Sequence, residues 1–306
     1  MMKITLLGST GNINQYVIPQ LVNDGHLVTV VSSNPNRVAQ IEALGAKAAI
    51  GSMRDRDFLA QAFKQQDAVY LMISGSQGTD LATDMQEQAT IFKDAITQAQ
   101  VKNVVQLSSV GAQAGPEAGA LHAYAVLEQI LSELTDVNIA FVRPAGFYNN
   151  LYNQIDSVQK KHVVTGNLPE DTMQKFADPS DIAQVVIGLL ENTPIGITGR
   201  YVVSDTFTMR DFVPALAEAA QIPDLKFEQL SDEQNRAGMA ANHVPEAIAN
   251  GLIQMAHFQM DPEHAYAPLK ADNTVDGQVK MADFIQRFVK ALHGELATHV
   301  SMLEKQ

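Results

Sequence analysis

Apolar residues follow two rhythms through the first half of the chain. Mostly apolar runs at residues 4–7, 27–31, 46–50, 68–73, 104–107 and 138–143 are short and built mainly from Val, Ile, Leu and Ala. Strands buried on both faces read this way. Between the runs, apolar residues return every three or four positions. Ile13, Tyr16, Val17 and Leu21 mark a helix over 12–22 that Asp24-Gly25 ends, and similar spacing predicts helices near 37–44, 55–63, 81–100 and 120–134. Strand–helix alternation sustained this long predicts an α/β fold, a Rossmann-type doubly wound parallel sheet covered on both faces.

After Pro144 the regularity breaks into an aromatic and amide-rich stretch, 145–153. It resumes at Asp178-Pro179-Ser180-Asp181, where Asp178 can cap a helix, Pro179 fits its first turn and Asp181 faces its positive end. That helix should run to about 190, with one more strand at 201–203. Thr208 and Ser231 are further N-cap candidates, Ser231 forming a capping box with Gln234. Phe284, Ile285, Phe288, Val289 and Leu292 form an apolar stripe on the last helix. These patterns divide the chain into a doubly wound sheet domain (1–150 plus about 176–206) and a smaller, mainly helical C-terminal substrate or lid domain (151–175 plus 207–306).

Charge narrows the partners. Among 306 residues, 34 are Asp or Glu against 21 Lys or Arg, a net charge of −13. The excess is spread over both halves, and no basic cluster offers the footprint that nucleic acid or an anionic membrane requires. With no cysteine, disulfides, thiolate nucleophiles and cysteine metal sites are excluded. The N-terminus shows no long apolar leader, and no run approaches the length of a membrane span. A cytoplasmic location is the expectation. His257 and His264, seven apart, lack a second cluster, so no metal site is expected.

Gly8-Ser9-Thr10-Gly11-Asn12-Ile13 joins the first strand to the first helix. Glycines there permit a tight turn and close approach of the main chain to a diphosphate, whose charge the helix N-terminus stabilises. The third glycine of the usual pattern is replaced by Asn14, which should displace the helix slightly without abolishing binding. Beyond the second strand, where an acidic residue would select NAD, stand Ser32, Ser33, Asn34 and Arg37. Hydroxyl donors and a guanidinium suit a 2′-phosphate, so NADP(H) is the predicted cofactor.

Together with Asn34-Pro35, Gly51-Ser52-Met53, Arg143-Pro144-Ala145-Gly146-Phe147-Tyr148-Asn149-Asn150 and Asp178-Pro179-Ser180-Asp181-Ile182-Ala183, the glycine motif resembles the NmrA-like group of atypical short-chain dehydrogenases/reductases. The resemblance implies NADPH-dependent reduction, in some members of quinones, or cofactor sensing without turnover. It also implies that Ser52 and Met53 border the adenine, although Ser52 stands where aspartate is common. By the same resemblance Ile73, Ser74 and Gly75 pass along the phosphates and ribose, and Ser108, Gly146 and Phe147 lie near the nicotinamide.

Ordinary short-chain reductases pair a Tyr with a Lys four residues on. Here His122 and Tyr124 are followed at that spacing by Val126 and Glu128, so the cation that lowers a tyrosine pKa is absent, and Glu128 should raise it. A quinone or similar small conjugated carbonyl demands less, because hydride addition yields a stable phenolate-like anion. Phe147, Tyr148 and Tyr152 are candidates for a flat aromatic acceptor pocket, and His122 or Tyr124 for oxyanion stabilisation. Arg37→Ala should weaken NADPH by about tenfold or more while leaving NADH nearly unchanged; equal losses in parallel titrations would overturn the 2′-phosphate assignment.

Overall fold

The computed structural model describes residues 1–73 and 80–296. The strands are β1 (Lys3–Leu6), β2 (Leu27–Ser32), β3 (Lys47–Ile50), β4 (Ala68–Leu71), β5 (Asn103–Leu107), β6 (Asn138–Pro144), β7 (Gly146–Phe147), β8 (Val163–Gly166), β9 (Gln174–Ala177), β10 (Ile197–Val203), β11 (Asp205–Phe207), β12 (Lys226–Gln229) and β13 (Thr274–Asp276). The helices are α1 (Asn14–Asn23), α2 (Val38–Ala43), α3 (Arg56–Phe63), α4 (Leu81–Ala99), α5 (His122–Leu131), α6 (Ile155–Lys161), α7 (Pro179–Glu191), α8 (Met209–Ala220), α9 (Asp232–Ala241), α10 (Glu246–Gln259), α11 (Pro262–Ala265) and α12 (Met281–Leu292). None of the described helices is long and apolar enough to cross a membrane.

Eight strands form one sheet in the order β13-β10-β6-β5-β4-β1-β2-β3, and every neighbouring pair is parallel. Alternation along each strand divides the core. Tyr70, Ala140 and Val142 face one side, against Val17, Ile18 and Leu21 of α1 and Ile182 and Val186 of α7. Val69, Leu71, Ile139 and Phe141 face the other, against Phe63 of α3, Phe92 and Ile96 of α4, and Leu127 of α5. Each buried Val, Leu, Ile or Phe among them contributes about 1.5–3 kcal/mol. The pattern of the sequence thus places six strands and α1–α5 within a few residues. α1 starts two positions later than its periodicity suggests because Asn12 and Ile13 belong to the turn.

A third core lies outside this sheet. Phe176 and Phe207 stack with centroids 4.4 Å apart, and Tyr148 stacks on Phe284 at 4.7 Å. Phe212, Phe288 and Leu216 complete the cluster. This corrects the expected acceptor pocket. Tyr148 is 0 % exposed and Tyr152 8 %, so neither ring presents a face to a ligand. They turn inward because the segment Tyr148–Gln154 is a 3-10 stretch packed against α12. The Tyr148 hydroxyl finds no partner there, and burial pushes its pKa far above the usual phenol value.

The two parts are joined by buried carboxylates. Asp178 caps α7, accepting from Ser180 N, and also accepts from Arg287 of α12. Asp181 accepts from Ser204 Oγ at 2.6 Å and from the backbone N–H groups of Gln278 and Val279 at 3.0 and 3.1 Å. The predicted caps at Thr208 and Ser231 are both present, each within a capping box.

Tyr148→Phe removes a hydroxyl that is sealed without a partner, so stability should stay unchanged or rise by up to about 1 kcal/mol. Tyr148→Ala should cost about 3–5 kcal/mol. Urea unfolding measures both; a Phe variant losing as much as the Ala variant would mean the hydroxyl, not the ring, holds the core.

Candidate functional site

The carboxyl ends of β1, β2, β4, β5 and β6 open on one side, where ligands of doubly wound sheets bind. After β1 the chain turns through Gly8 (φ +97°) and Ser9 (φ +52°). A Cβ on Gly8 would meet Met72 Cγ and Sδ at 3.0 Å, and one on Gly11 would meet Gly8 O at 3.1 Å. Two hydrogen bonds brace the turn: Ser9 N donates to Val31 O at 3.0 Å and Gly11 N to Gly8 O at 3.1 Å. α1 then begins with no side-chain cap and no acidic residue in its first turn. An uncapped helix N-terminus above a turn with no room for side chains fits a diphosphate. The Ser9 hydroxyl, buried without a partner, is a further polar atom that a ligand here can satisfy.

The end of β2 supplies the neighbouring wall. Ser32 is buried, and its Oγ accepts from Asn34 N at 3.2 Å. Asn34 Oδ1 accepts from Asn36 N, folding the chain into the turn Pro35–Arg37. Ser33 and Asn34 are exposed. Arg37 Nη1 donates to Gln40 Oε1 at 2.7 Å, and the same oxygen accepts from Thr10 Oγ1 at 3.2 Å. Gln40, which the sequence did not single out, therefore holds Arg37 beside the glycine turn. Its only sequence signal is a position three residues beyond Arg37 on a short helix. Below it, Ser52 Oγ accepts from Arg54 N, and Met53 O accepts from the buried Gln88 Nε2 at 2.7 Å. Asn12 and Ile13 complete the turn, Ile13 inside the core.

On the other side of the cleft, Ile73 packs against the core of β4 and α4; Ser74 and Gly75 lie outside the described residues. Ser108 ends β5 as expected, but its side chain is committed: Oγ donates to Glu128 Oε1 at 2.6 Å. Glu128, 6 % exposed, also accepts from Arg143 Nε at 2.9 Å and Nη2 at 2.6 Å. A bidentate guanidinium and a hydroxyl together compensate a carboxylate that burial alone would penalise heavily. The position four residues beyond Tyr124 thus holds a charge-compensated acid. Tyr124 does have a raised pKa, but the cause is burial, not the charge of Glu128. Its phenol stays protonated and keeps an O–H to donate.

His122 opens α5, and its Nδ1 lies 3.1 Å from Ala114 O. A carbonyl only accepts, so Nδ1 carries the hydrogen and Nε2 of the neutral ring is an acceptor. On the neutral ring Nε2 can then accept a hydrogen bond but not donate one. A cavity of about 250 Å³ opens beside His122, walled by Leu81, Ala120, Ala123, Ile248 and Asn250. A larger groove of about 530 Å³ lies between the C-terminal ends of α3 and α4, at the opposite end of the sheet. Gly146 is exposed, and Phe147 packs partly against the sheet core. His257 pairs with Asp232 at 2.8 Å, and no cluster among the described residues could hold a metal ion.

The profile of a family described as NAD(P)H-binding matches residues 8–193, which contain the glycine turn, the Arg37 turn and the Asp178–Asp181 cap. An NAD(P)H azoreductase from Xenophilus azovorans is 23% identical over 257 residues, covering 82% of this chain and 85% of its own. A nucleoside-diphosphate-sugar epimerase from Staphylococcus aureus superposes with a TM-score of 0.76 at 17% identity, over 93% of this chain and 100% of that one. An NADPH-dependent quinone oxidoreductase from Escherichia coli, in complex with NADPH, gives 0.74 at 16% identity, over 93% and 99%. Structures this alike with chemistries this different establish the fold and leave the reaction to the site. With the family profile spanning both walls of the cleft, the chain belongs to the NAD(P)H-binding family, in agreement with the NmrA-like resemblance of its motifs.

Proposed function

We propose that the protein is an NADPH-dependent reductase that passes hydride to a quinone or similar small conjugated carbonyl. The observation that carries this reading is the Ser108–Glu128–Arg143 cluster at the place of the usual lysine. Without a cation beside Tyr124, no tyrosinate forms to relay protons to or from an alcohol, which argues against both ordinary ketone reduction and sugar-nucleotide epimerisation. An acceptor whose reduced anion is already stabilised escapes that requirement. The azoreductase and quinone oxidoreductase relatives, both reductases of conjugated acceptors by name, support the same class.

In this reading the Thr10 and Ile13 amides at the opening of α1 hold the diphosphate, while Arg37, with Ser33 and Asn34, holds the 2′-phosphate. Gly51, Ser52 and Met53 border the adenine, and Ile73, Gly146 and Phe147 border the nicotinamide end. The bound cofactor supplies the hydride. Tyr124 donates a hydrogen bond to the acceptor oxygen on which charge develops. The cavity beside His122, with Leu81, Ala120, Ala123 and Ile248 as its apolar wall, receives the acceptor. Ser108 positions Glu128 and touches neither reactant.

The second reading, a cofactor-sensing protein without turnover, draws on the same cluster, because a site with no activated acid or base is also what a sensor retains. Steady-state NADPH oxidation with a panel of quinones and azo compounds separates them. Turnover is expected, and Tyr124→Phe should lower kcat by roughly one to two orders of magnitude with NADPH affinity unchanged. Tight NADPH binding without turnover on any acceptor would establish the sensor instead.

A further inference from the structure

Asn14 stands where the glycine pattern calls for its third glycine, the one that lets helix and strand pack closely. It is 2 % exposed, and an amide buried that deeply is costly unless hydrogen-bonded. Its Nδ2 donates to Leu7 O at 2.8 Å and to Ser9 O at 2.9 Å. Its Oδ1 is sealed and has no partner. The amide orientation is fixed by this geometry, since a flip would set an acceptor against two carbonyl oxygens. The two carbonyls flank Gly8, and Gly8 and Ser9 are consecutive residues at positive φ. Ser9 adopts that conformation without the freedom of glycine, so something must hold it there.

We propose that Asn14 is a positioning residue that pre-forms the diphosphate seat. By drawing the Leu7 and Ser9 carbonyls towards the helix, it keeps the intervening turn in its left-handed conformation with the following amides turned to the ligand. Preorganisation of this kind raises affinity by cutting the ordering cost of binding. The inference rests on the cofactor reading above and replaces the expected helix displacement with a defined side-chain clamp.

Calorimetric titration of NADPH and, separately, of adenosine 2′-monophosphate into the wild type, Asn14→Gly, Asn14→Ala and Asn14→Asp tests it. The glycine variant restores the family pattern and provides a variant expected to fold. Loss of two hydrogen bonds should weaken NADPH about tenfold in the Gly and Ala variants. Asn14→Asp should weaken it further, because an oxygen would replace Nδ2 against two carbonyls and add charge beside the diphosphate. Adenosine 2′-monophosphate, which has no diphosphate, should bind all four proteins alike. Wild-type affinity for NADPH in the Gly variant would overturn the clamp, as would equal losses for both ligands. A wild type that binds no NADPH would instead overturn the cofactor reading itself.

Discussion

A backbone loop can hold an anion only if something other than the anion holds the loop. The amides that would face a diphosphate cannot also be spent on internal bonds, so the turn after β1 has to be stabilised from behind. Here the bracing comes from three directions: Val31 O takes the Ser9 amide, Asn14 takes the Leu7 and Ser9 carbonyls, and Gln40 joins Thr10 to Arg37. The parallel pairing of β1 with β2 and β4 brings these groups together. If that register slipped by one residue, every side chain would change face and the seat would vanish with the core.

The Glu128 cluster follows a different logic. Four residues beyond Tyr124 the buried charge is a carboxylate, and Arg143 and Ser108 satisfy it. Arg143 is itself shared, lying over the Tyr201 ring at 5.3 Å. Such a cluster is expensive to break and contributes rigidity more than proton transfer. With its charges paired internally, the cluster offers no free cation to lower the pKa of Tyr124, whose phenol burial raises instead.

The C-terminal part is attached through polar bonds and cored by aromatic rings. Asp178 and Asp181 sit at the positive end of α7 and reach to α12 and its leading segment, so one helix terminus serves both halves. Phe176, Phe207, Phe284 and Tyr148 stack beneath it. The rings that look like a ligand pocket in one dimension are the reason this part folds at all.

Local pattern was enough for the central sheet, because a strand buried on both faces and a helix with one apolar stripe leave period and composition that do not depend on their neighbours. It was enough for the glycine turn and the caps at Asp178, Thr208 and Ser231 for the same reason: each is a contact within a few residues. The short strands β7, β8, β9, β11, β12 and β13 left no such trace, since none carries more than two adjacent apolar residues and their partners lie far along the chain, as β12 and β8 do. Side-chain roles at the site were likewise decided at a distance. Whether Tyr148 met a ligand or a core, whether Ser108 faced the cleft or Glu128, and what Asn14 did with its amide depended on residues brought together from different elements. The sequence by itself determined the layers of the sheet and the glycine turn between β1 and α1; only the tertiary structure decided which side chains are paired or buried, because burial and pairing belong to neighbours in space.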